Sequence, residues 1–237
     1  MSQDFESLCD KGIAVTENGP YLVYGDVPLV AKTQIVSDEG EPLTWRRDRA
    51  IDTDAHTLCQ VYSLCRCGQS SAKPFCDGMH HRIAFNGTET ADTRPTAERR
   101  EAYTQGNRIS VEHDDALCAG SGFCGNRRTH LRQLALTATE AAEQIQIMAM
   151  VGHCPSGSLT CSLAPGDAPI EPDLPQQIAV TTEITSAGPI AGPLWVTGNL
   201  PIERSDRLPL ETRNRVTLCS CGRSHDKPLC DGTHRNA

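Results

Sequence analysis

Short apolar runs bounded by Gly and Pro stand out near both ends of the chain. Residues 21–24 (Tyr-Leu-Val-Tyr) and 194–197 (Leu-Trp-Val-Thr) each follow a Gly-Pro pair and precede a Gly, which is typical of short β-strands between turns. Segment 19–29 matches segment 192–202, and each continues to a second strand-like segment, at 58–64 and 215–218. The pattern therefore predicts an internal repeat in which two strands precede a group of cysteines.

The first copy of the repeat is longer than the second. It carries 19 extra residues between the first strand and the cysteines. The simplest explanation is a loop or an added hairpin around Asp38 to Asp54.

A different pattern separates the two copies. Residues 108–111 predict a strand, and residues 137–151 predict a helix in which Thr137 and Glu140 have capping-box spacing. The helical spacing of Ile145, Met148 and Ala149 predicts a core-facing stripe. A stiff linker is expected after this unit because four prolines follow within a short stretch: Pro165, Pro169, Pro172 and Pro175.

Composition suggests that packing alone does not hold this chain together. Leu, Ile, Val and Phe make up just under one fifth of the 237 residues, and the formal net charge is -8. The twelve cysteines are therefore expected to act as staples, either as disulfides or as metal ligands. The negative charge argues against nucleic acid as a partner.

Targeting signals are not expected. The first six residues are acidic and lack an apolar run, and no stretch of about 18 apolar residues occurs, so neither export nor a membrane span is predicted. We therefore expect a cytoplasmic protein, in which clustered cysteines indicate metal or redox ligands before disulfides. Cys9 and Cys59 have no partners at metal-binding spacing and are expected to be buried or free thiols.

Both copies contain the same spacing of ligand-type residues, C-x-C-x8-C-x3-H. Residues i and i+2 of an extended chain point to the same side, so the two sulfurs of C-x-C can approach one metal. A short helix is expected after the third cysteine, where Asp precedes Gly, and would bring the histidine to the metal. The predicted ligands are Cys65, Cys67, Cys76 and His80 in the first copy, and Cys219, Cys221, Cys230 and His234 in the second.

Ligand types alone would favour zinc over iron. Disulfides would leave an odd thiol in each group, but three thiolates and one imidazole also form a tetrahedral zinc site. The sequence around the ligands resembles the CDGSH iron–sulfur family, whose motif is C-x-C-x2-[ST]-x3-P-x-C-D-G-[SAT]-H. Residues 219–234 match every fixed position, and residues 65–80 depart only at Met79. The resemblance implies a 2Fe–2S cluster in each copy and favours iron over zinc.

The resemblance also implies a fold and a tuning chemistry. CDGSH proteins often form a two-fold pair with a shared β-cap, so we expect the two copies to pair within this chain as a pseudo-dimer. Replacing one thiolate by imidazole raises the reduction potential of a cluster. Ser70 and Ser224 are candidates to donate a hydrogen bond to a cluster sulfur.

A third candidate site lies between the repeats. Cys118 and Cys124 enclose Ser121 where bacterial ferredoxins have a middle cysteine, and Cys154 precedes a proline. This pattern resembles the single-cluster ferredoxin-like domain, which implies a 3Fe–4S or 4Fe–4S cluster held by Cys118, Cys124 and Cys154. Cys161 is a candidate fourth ligand. A degenerate domain without a cluster is the alternative.

We therefore predict a mostly β, α+β protein with three iron–sulfur sites. The function expected first is electron transfer, in a monomer that meets redox partner proteins. The alternatives are a cluster donor to apo iron–sulfur acceptors, a redox or pH sensor, and a zinc-stapled interaction module. No enzymatic activity is expected. The predicted units are a first module at 10–90, a ferredoxin-like insert at 98–164, a linker at 165–177 and a second module at 178–237.

Overall fold

The structure is a computed structural model that describes residues 10–53, 61–105, 108–125 and 128–236. Cys9, Cys59 and the start of the strand predicted at 58–64 lie outside these residues. Within them, no helix is both long enough and apolar enough to cross a membrane.

The described residues form mostly strands, with a few short helices. The strands are β1 (Gly12–Val15), β2 (Tyr21–Tyr24), β3 (Leu29–Val36), β4 (Pro42–Ala50), β5 (Val61–Leu64), β6 (Glu101–Gln105), β7 (Ser110–His113), β8 (Leu159–Ser162), β9 (Gln177–Thr185), β10 (Gly188–Thr197), β11 (Ile202–Glu203) and β12 (Arg215–Leu218). The α-helices are α1 (Met79–Arg82), α2 (Thr96–Arg99), α3 (Leu131–Thr137) and α4 (Ala141–His153). The mostly β prediction is confirmed.

The internal repeat is present in the strand register. In the first module β2 pairs with β5 so that Tyr21 faces Leu64, and in the second β10 pairs with β12 so that Leu194 faces Leu218. Each of these antiparallel pairs ends directly before the first cysteine of its motif. The two motifs therefore begin at equivalent points of equivalent strands.

One strand of each module pairs with a strand of the other module. Strand β11 of the second module pairs in parallel with β1, placing Ile202 opposite Ile13. Strand β3 of the first module pairs in parallel with β9, placing Leu29 opposite Ile178. The resulting sheets have the orders β11-β1-β2-β5 and β12-β10-β9-β3-β4. This reciprocal exchange is the arrangement that an internal pseudo-dimer requires.

One hydrophobic core joins the two modules. Ile13, Val23 and Leu64 from the first module are buried in the same cluster as Leu194 and Leu218 from the second. Burying each such side chain contributes about 1.5–3 kcal/mol, so separating the modules would be costly. The extra residues of the first copy form a hairpin, β3–β4, which extends the second sheet.

The insert is an α+β unit with its own core. Strands β6, β7 and β8 form a three-stranded sheet, against which α3 and α4 bury Leu131, Ala135, Ile147 and Val151. The prediction for the helix was partly wrong. Thr137 is the last residue of α3, and α4 begins four residues later with a capping box between Glu140 and Glu143.

The core face predicted for this helix was also partly wrong. Ile145 is 65 % exposed, whereas Ile147 and Val151 are fully buried. The side chains of residues two positions apart in an α-helix point about 200° away from each other. Burial of Ile147 therefore turns Ile145 toward solvent. Packing against β8 and α3 decides the orientation of the helix, and the apolar residues of α4 alone fit more than one face.

Candidate metal centres

The predicted ligands of the first module lie in two close pairs. Cys65 follows β5, and its Sγ lies 3.8 Å from the Sγ of Cys67. Cys76 precedes α1, and its Sγ lies 3.3 Å from Nδ1 of His80 on that helix. The structure thus brings together all four residues of the motif as a thiol–thiol pair and a thiol–imidazole pair.

The second module repeats this geometry. The Sγ atoms of Cys219 and Cys221 are 3.7 Å apart, and the Sγ of Cys230 lies 3.3 Å from Nδ1 of His234. Two thiolates bound to one tetrahedral metal at 2.3 Å are about 3.8 Å apart, so each thiol pair fits one metal atom. Within the described ranges, no group of three or more metal-ligating side chains is arranged around a single ion. Each motif thus offers one close pair of donors to each metal atom of a two-metal centre.

Backbone hydrogen bonds hold the two pairs of each motif in place. In the first module, Cys65 N–H donates to Pro74 O at 2.8 Å and Cys76 N–H donates to Ser63 O at 2.9 Å. In the second, Cys219 N–H donates to Pro228 O at 2.9 Å and Cys230 N–H donates to Thr217 O at 3.0 Å. The third cysteine is thereby clamped beside the strand that carries the first.

The Asp after the third cysteine organises the following turn, although the N-cap of α1 is Gly78 and not the expected Asp77. Asp77 Oδ1 accepts a hydrogen bond from Met79 N–H at 3.0 Å, and its Oδ2 accepts one from Ser71 N–H at 2.7 Å. Asp231 makes the same contacts to Thr233 and His225, at 3.0 and 2.8 Å. These backbone donors lower the pKa of Asp77.

The role expected for Ser70 and Ser224 was wrong. Each hydroxyl donates to a backbone carbonyl, that of Phe75 at 2.6 Å or that of Leu229 at 2.7 Å. A hydroxyl has one proton to donate, so none remains for a cluster sulfur. These serines stabilise the loop between the second and third cysteines.

Burial sets the protonation of several predicted ligands. It lowers the pKa of His80, which favours the neutral imidazole that binds metals. It also raises the pKa of Cys67. In the second module a hydrogen bond from Cys219 lowers the pKa of the Cys221 thiol.

The three predicted ligands of the insert line one cavity. Cys118, Cys124 and Cys154 surround a space of about 270 Å³. The hydroxyls of Ser156 and Ser158 each lie 3.5 Å from Cys154 Sγ, within reach of a weak hydrogen bond to a thiolate. Burial raises the pKa of both Cys118 and Cys124, so a bound cation is needed to hold them as thiolates at neutral pH.

The structure does not bring Cys161 to this cavity. Cys161 lies on β8, is buried in the core of the insert and does not contribute to the cavity wall. Burial raises the pKa of its thiol to about 11. Cys161 is therefore a core residue, and its candidacy as a fourth ligand has no geometric support.

The ligand loops of the three sites are in contact. An added Cβ atom on Gly222 would lie 2.5 Å from Cys67 O, and one on Gly68 would clash with Cys221 O, so the ligand loops of the two modules touch. An added Cβ on Gly232 would lie 3.1 Å from Ala119 O, so the second module also touches the ligand loop of the insert. The ligand loop of the second module thus contacts those of both the first module and the insert.

Sequence reasoning missed the residues that join the sites. The Glu183 carboxylate contacts His234 and Ser121, and the Gln34 amide donates to Ser121 O at 2.9 Å. The Arg215 guanidinium, which is 1 % exposed, donates to Cys154 O at 2.9 Å. All three side chains come from β-strands far away in the chain, so no local motif signals them.

Comparison with protein families agrees with the motifs. The model described as "Iron-binding zinc finger CDGSH type" matches residues 18–81 and 191–235. The model described as "Divergent 4Fe-4S mono-cluster" matches residues 104–164. No curated protein and no solved structure gave a significant match.

The fold, the paired ligands and these matches define an iron–sulfur protein. More particularly, it carries two CDGSH-type segments that flank a divergent 4Fe–4S mono-cluster segment.

Proposed function

We propose that this chain is an electron-transfer protein with two 2Fe–2S centres and a third, 3Fe–4S or 4Fe–4S, centre. When bound, such centres accept and release single electrons. The residues that would hold the first two are Cys65, Cys67, Cys76 and His80, and Cys219, Cys221, Cys230 and His234. Cys118, Cys124 and Cys154 would hold the third.

The contact between successive ligand loops carries this proposal. Gly222 touches the backbone of Cys67, and Gly232 touches the backbone of Ala119, next to Cys118. A protein that only stores or donates clusters has no need to pack three of them side by side. An electron carrier does, because electrons move between centres only over short distances.

Ser121 supports a third centre with three cysteine ligands. Its hydroxyl donates a hydrogen bond to the Glu183 carboxylate at 3.1 Å. In bacterial ferredoxins the middle cysteine is a cluster ligand instead. Three cysteines suit a 3Fe–4S centre, or a 4Fe–4S centre whose fourth iron has an external ligand.

Metal and sulfide analysis of anaerobically purified protein tests the proposal. We expect about seven or eight irons per chain with a similar amount of sulfide. Cys65→Ser should remove about two irons, and Cys118→Ser should remove about three or four. Zinc in place of iron, with no visible absorption, would overturn the proposal and leave a zinc-stapled interaction module.

Donation of clusters is the second candidate, and one observation favours it. No atom of the described residues lies within 4 Å of an added Cβ on Gly78, so this part of the structure leaves the ligand turn of the first module open where the equivalent Gly232 is covered. Incubation with an apo-ferredoxin separates the two functions. Rapid loss of two irons to the acceptor indicates a donor, whereas retention of all irons through repeated reduction and oxidation indicates a carrier.

A further inference from the structure

Glu183 is a buried carboxylate that links two of the proposed centres. It lies on β9 with no solvent exposure. Its Oε2 lies 3.1 Å from His234 Nε2, and its Oε1 accepts a hydrogen bond from Ser121 Oγ at 3.1 Å. The guanidinium of Arg235 forms an ion pair with the same carboxylate.

A carboxylate in this position is expensive to bury unless each oxygen is satisfied. Glu183 is satisfied, and among the described residues its partners all come from the two ligand regions: His234 is a predicted ligand, Arg235 follows it, and Ser121 lies between Cys118 and Cys124. Removal of the carboxylate would leave all three donors without this acceptor. Glu183 therefore belongs to the metal centres as well as to the strand.

Gln34 fixes the Ser121 side of this link. Its Nε2 donates to Ser121 O at 2.9 Å, while its Oε1 accepts from Ile184 N–H at 3.1 Å. The ligand loop of the insert is thus tied to the residue that follows Glu183 on β9. The Ser121 hydroxyl consequently stays within reach of the carboxylate.

The first module has a different environment around its histidine. The ring of His80 stacks against that of His81, with centroids 4.0 Å apart, and no carboxylate contacts Nε2 of His80 in the part of the chain that the structure describes. The two proposed 2Fe–2S centres thus have the same ligands but different surroundings.

We propose that Glu183 is a positioning residue that makes these two centres unequal. By accepting the Nε2–H of His234, it leaves Nδ1 to face Cys230 and makes the imidazole a stronger electron donor. Its negative charge, fully buried beside the histidine, disfavours an added electron nearby. Arg235 offsets this charge only in part because its side chain is 28 % exposed and is screened by water.

The consequence is an order of reduction, and it rests on the proposed function. The centre at His234 should have a lower reduction potential than the centre at His80. An electron given up by the centre at His234 is taken up by the centre at His80. A singly reduced chain therefore holds its electron in the first module. Two centres with the same ligands and the same surroundings would share that electron equally.

Glu183→Gln tests the proposal in the loaded, full-length protein. In a reductive titration followed by electron paramagnetic resonance, we expect the lower-potential 2Fe–2S signal to shift upward and the higher one to stay. A tenfold change in its reduced-to-oxidised ratio corresponds to about 59 mV for one electron. Glu41→Gln is the matched control: Glu41 is also buried and accepts from Arg128 N–H and Thr129 N–H of the insert, both at 2.7 Å, but these are not predicted ligands.

Ser121→Ala gives an independent measurement. It removes a donor from the carboxylate, which leaves more negative charge facing His234, so the same signal should shift downward, opposite to Glu183→Gln. Unchanged potentials in both variants, or equal shifts of both 2Fe–2S signals, would overturn the role of Glu183. If Glu183→Gln fails to load iron, the shift in Ser121→Ala decides alone. Wild-type protein without iron would instead defeat the proposed function.

Discussion

Gly222 packs against Cys67 so closely that an added Cβ would lie 2.5 Å from the carbonyl oxygen of Cys67. Gly68 stands in the same relation to Cys221, so the two ligand loops approach each other symmetrically across the pseudo-two-fold axis. Both glycines also have positive φ, 75° and 78°. Any larger residue would force the two proposed centres apart.

Gly222→Ala should therefore destabilise the junction between the modules. We expect the free energy of unfolding to fall by about 2–5 kcal/mol, combining the left-handed backbone with overpacking. Chemical denaturation measures this fall. Gly166→Ala is the control because Gly166 has a φ of 88° and an added Cβ there meets no atom of the described ranges within 4 Å, so it should lose only about 1–2 kcal/mol. Equal losses would show that the close approach is unimportant.

Much of the site could be predicted from sequence because its information is local. The eight repeated ligands lie within two 16-residue segments, so spacing alone indicates their grouping. The start of α4 was misplaced because Thr137 and Glu140 have capping-box spacing, although the box forms between Glu140 and Glu143. Glu183 and Arg215 could not be found because their partners are distant in the chain and depend on how the modules and insert pack.

Arg215 belongs to the second module, but we expect it to stabilise the insert. Besides Cys154 O, it donates to Val151 O and Leu159 O at 3.2 Å and pairs with Glu171. Arg215→Met removes these charge-assisted hydrogen bonds from the buried carbonyls and leaves Glu171 without its ion pair, so we expect a loss of about 2–4 kcal/mol in unfolding free energy. Iron analysis should show loss at the Cys154 site and retention in the repeats.

The control for this variant is Arg46→Met. Arg46 also forms an ion pair, with Asp48 at 2.8 Å, but its side chain is 63 % exposed. An exposed pair contributes about 0–1 kcal/mol, so little change is expected. If Arg215→Met behaved like Arg46→Met, the buried guanidinium would not anchor the insert.

Asp226 should make the protein less stable at neutral pH. Its Oδ2 is buried without a hydrogen-bond partner among the described residues, and burial, with a further contribution from Asp231, raises its pKa from 3.8 to about 6. The folded chain therefore holds this proton more tightly than the unfolded chain, and stability is lost as pH rises from about 4 to about 6.

Asp226→Asn should remove that loss. We expect roughly 1 kcal/mol of added stability at pH 7.5 and no gain near pH 4, measured by denaturation against wild type at each pH. Asp92→Asn should change the stability in the opposite direction, because Arg94 lowers the pKa of Asp92 to about 2. Its effect should be destabilising at pH 7.5. A pH-independent effect of Asp226→Asn would contradict the prediction.

Cys161 provides the sharpest test of the ligand set in the insert. The thiol is buried in the core and lies off the cavity that Cys118, Cys124 and Cys154 line. Cys161→Ala should therefore cost about 1 kcal/mol of stability and leave the iron content unchanged. Cys154→Ala should remove the third centre, about three or four irons. If Cys161 were a fourth ligand, its loss would release one iron and produce the paramagnetic resonance of an oxidised 3Fe–4S centre, so iron content and that spectrum together decide its role.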